Sequence, residues 1–150
     1  MEYIEKGSNQ KECFICKKLL SKNPEDNFLL YKTPLTLACL NLYPYTQGHI
    51  LVAPCRHISS PLQLSEEEML DKEKVINIMI KALSEAFNPH GFNIGINLGR
   101  VAGAGLIDHY HIHIVPRWSG DANFMTTVSA TRVINQGLKE TYRRIKAKLP

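Results

Sequence analysis

The stretch His109-Tyr110-His111-Ile112-His113-Ile114-Val115 constrains this chain more than any other. Read as a β-strand, it sets three imidazoles on one face and Tyr110, Ile112 and Ile114 on the other. At a rise of about 3.3 Å per residue, successive histidines on such a strand stand about 6.5 Å apart. That leaves room for several imidazoles around one phosphate-sized group or one metal ion. Imidazole is nucleophilic when neutral and cationic when protonated, and its reference pKa of about 6.5 puts both forms within reach of neutral pH. A lone strand histidine is usually a satisfied structural residue. Three in strict alternation, backed by an apolar face, point instead to a reaction centre on a core strand. The competing reading is a catalytic zinc held by three histidines, since zinc accepts imidazole nitrogens in tetrahedral geometry.

The elements around this strand follow from the chain's patterning. Phe28 to Tyr31 and Leu35 to Leu42 read as two strands separated by Lys32-Thr33-Pro34. After a turn at Tyr43-Pro44-Tyr45-Thr46-Gln47-Gly48 comes a strongly apolar strand, His49 to Pro54. Ser65 followed by Glu68 is a capping box opening a long helix. Met69, Val75, Ile76, Met79, Ile80, Leu83 and Phe87 supply its apolar stripe, and Asn88-Pro89-His90-Gly91 ends it. Phe92, Ile94, Ile96 and Leu98 then alternate with polar or small residues, the pattern of a half-buried strand. The small-residue loop 99–105 leads from it into the histidine strand, so the two are expected to pair antiparallel. A final helix is expected over about 130–148, with Val133, Ile134, Leu138, Tyr142 and Ile145 on one face. Strands and helices do not alternate as βαβ units, so the fold class is α+β: an antiparallel sheet of about five strands with a long central helix and a C-terminal helix. At 150 residues the chain reads as one domain, 1–150.

Composition narrows the function classes. With 44% hydrophobic and 21% charged residues the chain is of ordinary globular make-up. No apolar run is long enough to span a membrane and the start has no signal-peptide pattern, so a cytoplasmic protein without a membrane partner is expected. The net charge of +4 is mild. Its densest run, Arg143-Arg144-Ile145-Lys146-Ala147-Lys148, reads as a solvated helix face rather than a nucleic-acid footprint. Four cysteines in such a chain argue against a disulfide framework. Cys39 and Cys55 lie in apolar stretches and are expected to be buried thiols. Cys13-Phe14-Ile15-Cys16 is a C-x-x-C pair, which is half a zinc site and equally a buried or redox pair.

A nucleotide phosphate lying over the histidine strand would meet a neutral imidazole nitrogen able to attack phosphorus in line, giving a covalent nucleotidyl-histidine. The transition state spreads charge over equatorial oxygens, so donors and positioning supply most of the catalysis. The Gly-rich loop before the strand can offer main-chain N–H groups to the phosphates, although small residues in a tight connection explain it equally well.

His109-x-His111-x-His113 resembles the signature of the histidine triad superfamily of nucleotide hydrolases and transferases. The likeness extends from about 13 to 118 and takes in Asn41 to Pro54 followed by Arg56-His57. Asn97-Leu98-Gly99-Arg100, Ala102-Gly103-Ala104-Gly105 and Pro116-Arg117-Trp118-Ser119-Gly120-Asp121-Ala122-Asn123-Phe124-Met125 resemble the diadenosine tetraphosphate phosphorylase-like branch. The resemblance implies His111 as nucleophile, with His113 and His49 near the phosphates. It implies Asn41 at the ribose hydroxyls, Leu42 and Ile15 along an adenine base pocket, and Asn97 and Gly105 at the phosphates. The implied substrate is a dinucleoside polyphosphate, with a nucleoside phosphoramidate, or binding of nucleotide without turnover, as alternatives. A homodimer is implied as well. Many relatives carry Gly-Gln-Ser or Gly-Gln-Thr where Gly105-Leu106-Ile107 stands, a departure that bears on leaving-group preference. Relatives with this C-x-x-C complete a structural zinc site with a histidine after the second strand and the first triad histidine, which implies Cys13, Cys16, His57 and His109 as ligands. An all-thiolate site including Cys39 and Cys55 is the alternative.

Overall fold

A computed structural model describes residues 12–122 and 137–150. Its longest element is helix α2, Glu66–Phe87, which begins where the capping box sets it: Ser65 Oγ accepts the Glu68 N–H at 3.2 Å, and Glu68 Oε2 accepts the Ser65 N–H at 2.8 Å. The helix closes at Asn88, whose φ of 48° is the left-handed conformation common past a helix end. Val75, Ile76, Met79, Ala82, Leu83 and Ala86 form its buried stripe. Met69 was expected in that stripe but is 45% exposed. The inward position of the first turn belongs to Glu68, drawn in by Arg56, so the apolar stripe starts about two turns later, at Val75.

Short helix α1, Phe14–Leu20, precedes strands β1 (Leu29–Lys32), β2 (Thr36–Leu40) and β3 (Ile50–Pro54). Beyond α2 come β4 (Gly91–Gly95) and β5 (Ile112–Arg117), and α3 (Leu138–Lys146) follows the undescribed segment. The five strands pair antiparallel in the order β1-β2-β3-β5-β4, an α+β arrangement as expected. The expected C-terminal helix is described from Leu138 onward, while 130–136, with Val133 and Ile134, lie outside the described residues.

The period-2 pattern of the strands sorts their side chains. Leu40, Ile50, Val52, Ile112 and Ile114 join Met79 and Leu83 of α2 and Ile145 of α3 in the main core. Each of these large side chains contributes roughly 1.5–3 kcal/mol by leaving water. The alternate residues Leu37, Cys39, Leu51 and Ala53 face the other way and pack with Cys13, Ile15 and Cys16 of the α1 segment. Cys39 is buried as expected, whereas Cys55, at the end of β3, is only half-buried.

Two strand expectations need correction. The histidine stretch does not enter the sheet until Ile112, so His109 and His111 belong to the incoming loop and only His113 lies within β5. The Tyr110 N–H donates to Ile58 O at 2.6 Å rather than to a neighbouring strand, which holds that loop against the segment after β3. The strand expected to be half-buried at 92–98 is shorter and more exposed. Ile94, Ile96 and Leu98 are 46%, 39% and 46% exposed. β4 is the sheet's edge, and α2 packs over β2, β3 and β5 instead.

Candidate functional site

The site grows from the two ends of the β3–β5 pair. Gly48, with φ of 79°, turns the chain into β3, and a Cβ there would meet Leu83 Cδ2 at 2.9 Å, so only glycine fits this approach. The turn delivers His49, fully buried, beside His113 of β5. His49 Nδ1 accepts the Tyr45 N–H at 3.1 Å. A nitrogen that accepts carries no proton, so in neutral His49 the proton sits on Nε2. Nε2 lies 2.9 Å from His113 Nδ1 and donates to it. By the same logic His113 keeps its own proton on Nε2, where it remains a donor. Burial lowers the His113 pKa below the ordinary histidine value, with the charge of His111 adding to the effect. The Tyr45 ring lies nearly parallel to His113, at 11° with centroids 6.0 Å apart.

His111 stands next in the row, its ring centroid 5.1 Å from that of His113. Its Nδ1 donates to the main-chain carbonyl of His109 at 2.8 Å. The lone pair of the neutral ring is therefore on Nε2. The ring is buried, with 7% of the residue exposed, so a small opening leads to it. This is the geometry of an oriented nitrogen nucleophile.

The first triad histidine turns elsewhere. His109 Nε2 donates to Pro54 O at 2.8 Å, which leaves the Nδ1 lone pair aimed at Cys13 Sγ, 3.3 Å away, and Cys16 Sγ, 3.6 Å away. His57 Nδ1 is 3.3 Å from Cys16 Sγ. Burial, opposed by the Pro54 carbonyl, brings the His109 pKa down to about 4, so its ring is neutral at pH 7. The three histidines thus do not share one face: His111 and His113 line up with His49, and His109 joins the cysteines. His109 still orients the nucleophile, through its carbonyl rather than its ring.

The donor atoms of Cys13, Cys16, His57 and His109 all lie within 4.8 Å of one another. Zn–S bonds of about 2.3 Å and Zn–N bonds of about 2.0 Å imply tetrahedral edges of roughly 3.3–3.8 Å. The observed separations of 3.3 to 3.6 Å fit that cage. The Pro54 carbonyl supplies the outer hydrogen bond that fixes a metal-binding histidine's tautomer. Burial, reinforced by Cys13, pushes the Cys16 thiol up to about 11, so a cation is needed to bring out its thiolate. The group can hold a metal, and Cys39 and Cys55 are not part of it.

The other residues singled out from the sequence fall around the row. Asn41 lies alongside His49, its Nδ2 3.4 Å from the ring, and its Oδ1 accepts the Tyr43 N–H at 3.0 Å. Leu42 is 46% exposed while Ile15 is fully buried behind the cysteine pair. Asn97 lines a pocket that reaches His113. Gly105 is exposed in the loop before the triad. Two features had been given no role of their own, Tyr45 and the Arg117–Asp121 pair. Tyr45 acts through its main-chain N–H and ring face, which no side-chain motif records. Arg117 and Asp121 form an i,i+4 ion pair at 2.5 Å, a spacing legible in principle.

Known proteins resemble this chain over most of its length. The family model of the HIT domain matches residues 22–120. An AP-4-A phosphorylase of Mycobacterium tuberculosis is 41% identical over 119 residues, covering 79% of this chain and 61% of that protein. The chain thus spans about three fifths of that relative's length. An adenosine 5'-monophosphoramidase of Schizosaccharomyces pombe is 34% identical over 105 residues, 70% of this chain and 74% of that one. Among solved structures, a Zn-bound histidine triad family protein from Mycobacterium smegmatis superposes with a TM-score of 0.74 at 27% identity, covering 93% of this chain and 94% of the other.

Proposed function

The chain belongs to the HIT family, and from that premise we propose that it is an enzyme that cleaves a phosphoanhydride at the α-phosphate of a dinucleoside polyphosphate, through a nucleotidyl-histidine on His111. One observation carries the reading: His111 Nδ1 is tied to the His109 carbonyl, which leaves the Nε2 lone pair as the attacking group. In the first step that pair forms a bond to the α-phosphorus while the bond from phosphorus to the bridging oxygen breaks. The leaving group departs with the electron pair and takes up a proton. In the second step water or inorganic phosphate attacks the same phosphorus, and Nε2 leaves with its pair. The remaining Nε2–H of His113 is a donor for a phosphate oxygen. His49 holds that tautomer in place and acts through His113, since both its ring nitrogens are engaged within the chain. Asn41 serves the ribose hydroxyls, Leu42 the adenine side, and Asn97 and Gly105 the phosphates, while Ile15, with no exposed surface, is left to pack α1 against the sheet.

Cys13, Cys16, His57 and His109 would hold a zinc ion. With four protein donors such an ion has no open position and serves the fold rather than the reaction. The exposed β4 edge, with Ile94 in the strand and Ile96 just past its end, is the face through which two copies pair as a homodimer. Among the described residues no helix is long and apolar enough to cross a membrane. The proposed setting is the cytoplasm, where a single HIT domain acts on a dissolved nucleotide.

The test is product identity from diadenosine tetraphosphate with and without inorganic phosphate. Attack by water gives AMP and ATP, while attack by phosphate gives ADP and ATP. Acid quenching during turnover of labelled substrate should find the label on His111. A label elsewhere would overturn the mechanism. Cleavage of adenosine phosphoramidate alone would transfer the reading to the phosphoramidase class represented by the fission-yeast relative. Nucleotide binding with no cleavage of either compound would end it.

A further inference from the structure

On the sheet face that carries His113, a pocket of about 320 Å³ runs from that histidine toward the end of β5. Its volume is at the lower end of the range of about 300–1,000 Å³ usual for small-molecule sites. Strand register builds it. Gly95 pairs with His113 and Asn93 with Val115, so these residues share one face. A Cβ built on Gly95 meets nothing within 4 Å, which leaves the floor open beside His113. Tyr45, stacked along His113, lines the pocket at that end, and Arg117 and Asp121 line it at the other.

Arg117 would be the natural phosphate ligand here, but its guanidinium is already engaged. Nε and Nη2 donate to the two Asp121 carboxylate oxygens at 2.5 and 2.9 Å, and Nη1 donates to Asn93 Oδ1 at 2.7 Å. The pairing cancels the charge of both side chains and holds them rigid. With its oxygen taken by Arg117, Asn93 offers its amide N–H groups as donors. The pocket therefore presents an aromatic ring, two amides and an internally neutralised ion pair, and among the described residues its lining gives a polyphosphate no unpaired cation. That chemistry suits a flat, uncharged, hydrogen-bonding group such as a nucleobase with its ribose. The pocket opens beside His113, whose ring is the immediate neighbour of the attacking ring.

We infer that this pocket seats the nucleoside of the leaving group, so that the chain favours substrates carrying a second nucleoside over nucleoside triphosphates and over nucleotides with a small leaving group. The inference rests on the proposed transfer at His111. It assigns Gly95 and Asn93 to leaving-group specificity rather than to the attack itself.

Steady-state kinetics of the full chain on diadenosine tetraphosphate and on adenosine phosphoramidate tests it, because the two share the attack and differ in what leaves. Gly95→Val places a side chain over the pocket floor, and Asn93→Ala removes a donor. The ratio of kcat/KM for the dinucleotide to that for the phosphoramidate should fall about tenfold or more in Gly95→Val and about threefold or more in Asn93→Ala, mainly through KM. Should Gly95→Val fail to fold, Asn93→Ala gives the reading alone. An unchanged ratio in the folded variants, with the unmodified chain active, overturns the pocket assignment and leaves the transfer chemistry standing. An unmodified chain that cleaves neither compound overturns both.

Discussion

Reactivity here depends on which nitrogen of each ring holds the proton, and main-chain groups decide it. The Tyr45 N–H fixes His49, His49 fixes His113, and the His109 carbonyl fixes His111. His111→Asn keeps a polar side chain of similar size but has no nucleophilic lone pair. Its kcat on any substrate of the unmodified enzyme should fall by about a thousandfold or more, while nucleotide affinity measured by calorimetry stays within about threefold. Retention of more than a tenth of the activity would remove His111 from the role. His111 and His113 were singled out by spacing, because strict alternation has few structural uses, whereas His49 came only from the family resemblance and is found beside His113 in the fold. The direction of His109 was not legible from spacing. Alternation predicts a shared face only inside a strand, and the chain is still in a loop at that residue.

Element boundaries tell the same story at the next scale. The start of α2 was readable because a capping box is a local, reciprocal pair of hydrogen bonds, and Ser65 and Glu68 make it as spaced. What the spacing could not reveal is that Glu68 serves a second master. Its carboxylate takes Arg56 Nε at 2.6 Å and Nη2 at 2.8 Å, and Arg56 also donates to Gln63 O at 2.7 Å. This ties the start of α2 to the residue beside His57, so the helix cap also braces a candidate metal ligand. Arg56→Ala should lower the urea midpoint at pH 7, since it removes the donors to the Glu68 carboxylate. The Arg56 hydrogen bonds hold the Glu68 carboxyl at about 2, well below its ordinary value of 4.5. A depressed acid stabilises the fold fully above its unfolded pKa and loses that contribution as pH falls through the folded one. The difference between the two proteins should accordingly be full above about pH 5 and shrink progressively toward pH 2. A difference that stays constant over that range would mean that Arg56 acts by packing alone. The 92–98 stretch was misjudged for a related reason: an apolar alternation records that a face is covered, without recording by what.

For the molecule as a whole, that uncovered face and the cysteine–histidine cluster are places among the described residues where the chain is incomplete by itself. An edge strand with Ile94 exposed, and Ile96 exposed just past its end, invites pairing. Sedimentation should give a dimer, and Ile94→Lys with Ile96→Lys should shift it to monomer; a monomer at the outset would remove the dimer. The metal prediction concerns how distant parts of the chain are joined. The C-x-x-C pair was visible in the sequence, but its partners were not within local reach, since Cys13 meets a histidine 96 positions away and Cys16 one 41 positions away. Filled, the site would fasten α1, the segment after β3 and the approach to β5 to one point. His109 links the cluster to the nucleophile, because its ring faces the cysteines while its carbonyl accepts the His111 Nδ1–H. Purified protein should contain about one zinc per chain, and Cys13→Ser with Cys16→Ser should abolish it. A ligand at one hundred times its dissociation constant stabilises the state that binds it by about 2.7 kcal/mol, so a strong chelator should lower the melting temperature measurably. Activity should fall with it and return on adding zinc, because loosening His109 frees the carbonyl that sets the nucleophile's tautomer. Loss of zinc with an unaltered melting temperature and unaltered turnover would uncouple the cluster from both fold and site, whereas zinc that persists in the double variant would place the metal elsewhere in the chain.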